Sequence, residues 1–153
     1  MAGREDLGSW LEGPPTDPED ASRLGLPPAG PGSPARLPRR FAALLIDWFV
    51  SLAVSGLLFP EDGVTRGILA GERMATLAVF GVSSAILVGL LGHTIGHRLT
   101  GMRVIRLRDG RAPGLVAGLV RSALLVLVIP AIVWGRDGRG LHDVAAGTAI
   151  VRR

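Results

Sequence analysis

The sequence predicts an all-α membrane protein, with about three transmembrane helices behind a disordered Pro/Gly-rich N-terminal tail. Three observations carry that expectation. Apolar residues gather into three runs, Phe41–Phe59, Met74–Leu91 and Leu115–Trp134, of 19, 18 and 20 residues. At ~1.5 Å per residue each run reaches roughly 27–30 Å, enough to cross a hydrocarbon core. The 17 basic residues are all Arg, and they crowd the ends of these runs, where they control topology and meet anionic lipid.

Residues 1–38 form the predicted tail. They hold eight Pro and six Gly, and three Arg against six acidic residues give them a net charge of −3. Few large apolar side chains are present, so burial cannot offset the entropy of ordering. The apolar spot Gly8–Leu11 reads as an exposed Trp in a tail, with a short recognition element as the sharper alternative. Residues 39–153 form the membrane domain and carry +7, from fourteen Arg against seven acidic residues. The first run begins 40 residues in, contains Asp47 and lacks a small-residue cleavage site after it, so it reads as a retained anchor and not as a signal peptide.

Inside a bilayer the backbone must satisfy its own hydrogen bonds, so each span is expected to be helical. Pro60 closes the first span, and Pro130 kinks or stops the third. The second connection, Gly92–Gly114, carries Arg98, Arg103, Arg106, Arg108 and Arg111. Within it Met102–Leu107 has strand character, Asp109-Gly110 supplies a turn, and Thr148–Val151 is a second β-prone stretch. The positive-inside rule puts Arg36, Arg39, Arg40 and the five-Arg connection in the cytoplasm of a multi-pass plasma-membrane protein. A third full crossing, the arrangement favoured from sequence, leaves Arg136, Arg139, Arg152 and Arg153 outside, against the rule. A re-entrant hairpin bent at Pro130 keeps them inside and lets residues 102–107 pair with 148–151.

Two charges interrupt the apolar runs. Asp47 and Arg121 each lie six residues past the start of their run, roughly 9 Å in. A charge at such a site costs about 2.5–3.5 kcal/mol on insertion scales, so it is expected to be paired or used. The guanidinium fork suits a carboxylate, which predicts an Asp47–Arg121 contact. Arg40 precedes Asp47 by seven residues, close to two turns, and shares its face. Two readings follow: a structural ion pair that orients the helices, or a proton or ion relay through a tunable carboxylate.

The remaining motifs are weaker. His93 and His97 have zinc-compatible spacing, but no Cys, Asp or Glu lies near enough to complete a set, so neither metal nor cofactor is expected. His142-Asp143 lacks a well-placed nucleophile. Hydroxyls such as Ser83, Ser84 and Ser122 in apolar spans usually bond their own backbone, so an enzyme is not expected. No basic helix face with stacking aromatics supports nucleic-acid binding. Gly92/Gly96 and Gly114/Gly118 have the small-xxx-small spacing of close helix approach.

Three ordered blocks resemble the RDD family of small bacterial membrane proteins, in the manner of an actinobacterial member. They are Arg39-Arg40-Phe-Ala-Ala-Leu-Leu-Ile-Asp47, Gly92-His-Thr-Ile-Gly-His-Arg-Leu-Thr-Gly-Met-Arg-Val104 and Leu141-His-Asp-Val-Ala-Ala-Gly-Thr-Ala-Ile-Val151. The resemblance implies that Arg40, Asp47 and Asp143 are the residues for which the family is named. The sequence departs from it at His93 and His97, where basic residues are usual, and in the short stretch between Arg121 and Asp143. The family's suggested role is transport of an undefined ligand. A chain this small implies a homo-oligomer or a membrane-protein partner, and the alternative is an accessory or assembly subunit of a larger complex.

Overall fold

The computed structural model describes residues 18–61, 69–127 and 139–153. The chain order is α1 (Pro18–Arg23), α2 (Leu37–Leu58), α3 (Arg73–Leu91), α4 (Ile95–Leu99), β1 (Met102–Arg106), α5 (Leu115–Val126), α6 (Leu141–Ala145) and β2 (Thr148–Arg152). Helices α2 and α3 are long and apolar enough to cross a membrane, by length and composition. Pro38 in the first turn of α2 costs nothing there, because that turn's N–H groups have no helical partner. Glu72 caps α3 by accepting from the N–H groups of Met74 and Ala75, at 2.9 and 2.6 Å. These hydrogen bonds hold its carboxyl below the usual range. Gly92 ends α3 in the left-handed conformation, at φ 73°, which a residue with a Cβ seldom adopts.

The polarity of the packing is inverted relative to a water-soluble core. The buried side of α2 carries Arg40, Ala43, Ser51 and Ser55, while Phe41, Phe49, Leu57 and Leu58 are exposed. On α3, Thr76 and Ser84 face inward and Met74, Val82 and Leu90 face outward. Small and polar groups inside with large apolar groups outside is the arrangement a lipid solvent selects. Helices α3 and α5 pack backbone to backbone. A Cβ on Gly118 would meet the Ala85 carbonyl oxygen at 2.6 Å, and one on Gly89 would meet the Leu115 Cα at 3.0 Å. Ala85 and Gly89 on α3 therefore face Gly118 on α5, Gly81 faces Val126, and the Gly114/Gly118 spacing read in the sequence is half of this contact.

Strands β1 and β2 pair antiparallel, from Met102 opposite Arg152 to Arg106 opposite Thr148. This is the expected pairing, shifted by one residue at each C-terminal end. The stretch leading into α2 joins the same sheet edge: Ala35 N–H donates to Ile150 O at 2.8 Å, and Gly32 N–H to Arg152 O at 2.9 Å. The tail expectation is therefore corrected over residues 18–38, which hold α1 and this edge contact. Backbone pairing with β2 supplies the order that side-chain burial could not. Gly8–Leu11 lies outside the described residues. Ala35, Ala43, Val88, Met102, Val104 and Ile150 form one apolar cluster that ties the sheet to the ends of α2 and α3.

The third span is described in part. Helix α5 is described over 12 residues, about 18 Å. Pro130 and Trp134 lie outside the described residues. After them α6 returns to Arg121 and β2 returns to β1, whose end leads into α5. The end of the chain thus lies on the side from which α5 departs. Two helices, α2 and α3, are thus long enough to cross, and the third run is described only over its first part.

Candidate functional site

Arg121 does not meet Asp47. Its Nη1 hydrogen-bonds Asp143 Oδ1 on α6, and Arg40 Nη1 reaches Asp143 Oδ2 at 3.6 Å. All three side chains are buried, and Asp143 has no solvent exposure. Burial alone would raise the Asp143 carboxyl, but Arg121, then His142 and Arg40, hold it below the ordinary carboxylate range. His142 Nε2 lies 3.6 Å from Asp143 Oδ2. Arg40 also donates through Nε to Ala35 O at 2.7 Å, linking the cluster to the sheet edge. The predicted Asp47–Arg121 pair is therefore corrected: a carboxylate from the last quarter of the chain takes the guanidinium instead.

Asp47 is held by α4. Gly96 N–H donates to its Oδ1 at 2.7 Å and Thr94 Oγ1 to its Oδ2 at 2.5 Å. Gly96 is required because a Cβ there would strike the Ala43 carbonyl on α2. Thr94 caps α4 in a capping box: its Oγ1 accepts from His97 N–H at 3.1 Å, and its own N–H donates to His97 Nδ1 at 3.3 Å. Thr94 Oγ1 also lies 2.8 Å from His97 Nδ1. Its single proton thus has two acceptors, Asp47 and His97. Burial drives the His97 imidazole down to about 3, and Arg121 pushes the same way.

A cleft of about 680 Å³ joins the two halves of the site. Arg40, Asp47, Thr94, His97, Arg121 and His142 line its polar part, and α2, α3 and α5 supply its apolar walls. Of the four charged residues picked out in the sequence, Arg40, Arg121 and Asp143 form one cluster, and Asp47 faces the same cleft from its own hydrogen-bonded seat. Thr94, Gly96 and His97 were missed as partners of Asp47. The signal was present as Thr94-x-x-His97, a capping-box spacing with His in place of Glu or Gln.

Comparison with known proteins adds the family. The model of the RDD family matches residues 34–147, which hold the whole cluster and both seats of Asp47. The chain belongs to the RDD family. No curated protein and no solved structure matches it. Of the residues that the resemblance picked out, Arg40 and Asp47 line the cleft of this RDD protein, and Asp143 pairs with Arg40 and Arg121 without lining it. The match begins at Pro34, so Pro34 and Ala35 of the sheet edge lie inside the family region and Gly32 and Ser33 outside it.

Proposed function

We propose that this RDD-family membrane protein moves an ion or small solute across the plasma membrane, with its N-terminus in the cytoplasm, and that Asp47 carries the coupled proton or ion. One observation carries the reading: Asp47 faces the cleft while its carboxylate is hydrogen-bonded to Thr94, whose hydroxyl also reaches His97. Turning that hydroxyl from Asp47 to His97 frees the carboxylate oxygen to take a proton or ion from the cleft, with no backbone motion. No covalent chemistry is assigned, and the role is non-enzymatic. Anionic headgroups beside the Arg-rich end, and a second copy or another membrane protein against the exposed apolar faces, complete the assembly in this reading.

The test is flux in proteoliposomes under a proton or sodium gradient, for the wild type and Asp47→Asn. Gradient-driven flux that disappears in Asp47→Asn supports the relay; equal flux in both removes it. A second reading, an accessory subunit of a membrane complex, is favoured by the Arg40–Asp143–Arg121 cluster, whose charges tie α2, α5 and α6 together. A stable hetero-complex after gentle extraction, with no flux from the isolated chain, selects it.

A further inference from the structure

Arg121 is 2% exposed, yet it lines the cleft. Its hydrogen bond to Asp143 uses Nη1. Its Nε and Nη2 have no hydrogen-bond partner among the described residues. A guanidinium carries five N–H donors, and donors left unmet in a buried charged group are costly. Asp143, which answers Nη1, lies behind the guanidinium and does not line the cleft. The open donors therefore call for an acceptor that arrives from the cleft side.

The walls say what that acceptor is attached to. Along α2 the lining runs from Arg40 to Trp48, eight residues and about 12 Å. At the Arg40 end the cleft is charged and lies beside the sheet and the Arg-rich connection. At the Trp48 end Leu77, Phe80, Leu125 and Val126 close it, and the charge at that level, Asp47, has both carboxylate oxygens hydrogen-bonded to Thr94 and Gly96. One leaflet of a bilayer has the same gradient, polar at the interface and apolar toward the centre. Phe41 and Trp48 both line the cleft and remain exposed, at 61% and 38%, so its α2 wall is continuous with the lipid-facing surface. The volume, about 680 Å³, lies within the range of roughly 300–1,000 Å³ typical of small-molecule sites.

We propose that the cleft binds an amphiphile with one anionic head and a hydrocarbon chain, the head at Arg121 and Arg40 and the chain against Leu77, Phe80 and Leu125. A carboxylate or a phosphate satisfies the head, because either accepts paired hydrogen bonds from a guanidinium. The head therefore comes from a free fatty acid or from an anionic phospholipid that lays one chain in the cleft. The inference rests on the geometry of the cleft and holds whether or not the protein transports anything.

The test uses the full chain in zwitterionic nanodiscs, without a gradient, so that a failure of flux and a failure of binding are separate results. Palmitate and hexadecanol are titrated as probes, and phosphatidylglycerol retained through purification is read by native mass spectrometry. Palmitate is expected to bind about tenfold or more tightly than hexadecanol, which shares its chain and lacks its charge. Retained phosphatidylglycerol that palmitate displaces assigns the natural head to a phosphate; palmitate binding without any retained phospholipid assigns it to a carboxylate. Leu125→Trp, which fills the apolar end and leaves the charged cluster intact, is expected to weaken palmitate binding about tenfold with the melting temperature unchanged. The paired change Arg121→Gln with Asp143→Asn removes one cation with its counter-ion, leaves Arg40 charged, and is expected to reduce the preference for palmitate over hexadecanol without erasing it. Equal binding of the two probes by the wild type, undiminished binding in Leu125→Trp, or no binding of palmitate or phosphatidylglycerol overturns the proposal.

Discussion

Asp143 has two guanidiniums within reach and no exposure, so neutralising it leaves buried positive charge without its counter-ion. Asp143→Asn is expected to destabilise the fold by about 3–5 kcal/mol. Asp47→Asn keeps one acceptor oxygen for Gly96 N–H and is expected to cost less, about 1–3 kcal/mol. Thermal melts in one detergent, read side by side, check the order. His97 makes a pH prediction with a definite sign. Its folded value, about 3, lies below the ordinary imidazole value of about 6.5. Below about pH 6.5 the unfolded chain therefore takes up a proton that the folded chain refuses, and stability falls by up to about 1.4 kcal/mol per pH unit until the folded imidazole titrates. His97→Gln preserves the capping box and removes the titration, so its melting temperature is expected to vary less between pH 4 and 6 than that of the wild type. The charged positions were legible in the sequence because charge in an apolar run is conspicuous. Their partners were not. Helix α2 starts at Leu37, so Asp47 is ten residues into the helix, whereas Arg121 is six residues into α5, and equal depth was a false premise. The carboxylate that answers Arg121 lies 22 residues further along the chain, where no periodicity points.

At the scale of elements, the α3–α5 contact depends on missing side chains. Gly118→Ala drives a Cβ into the Ala85 carbonyl, a backbone atom that cannot rotate away. It is expected to cost about 1–3 kcal/mol, by the general penalty for overpacking. Gly81→Ala meets Val126 Cγ2 at 3.1 Å, a side-chain methyl that can give, and is expected to cost less. Melting curves of the two variants should separate in that order. Helices α2 and α3 were legible as long apolar runs, and the β1–β2 pairing as two β-prone stretches on one side. The seat of α6 against Arg121 was not, because nothing in the hydropathy pattern ties the two. Nor was the edge contact at residues 32–35 visible: it is made by backbone groups, and Pro and Gly around it argue locally against order.

For the whole molecule, the sheet fixes sidedness. Residues 32–35, β1 and β2 share hydrogen bonds, so the segment before α2, the connection after α4 and the end of the chain lie on one face of the membrane. The protein has no Cys, so single Cys substitutions report cleanly. Cys placed at Arg36 and at Arg153 is expected to label from the same side of intact cells or oriented vesicles; opposite labelling removes the re-entrant arrangement. The same sheet sets an order of events during synthesis. Helices α2 and α3 can insert as a hairpin as soon as they emerge, but Arg121 gains its counter-ion only when a segment 22 residues further along the chain has emerged as well. The domain is complete only when its final strand, Thr148–Arg152, docks between β1 and the residues that precede α2. Biogenesis therefore waits on residues 141–152, and a nascent chain that stops before them leaves a cationic helix for membrane quality control to find.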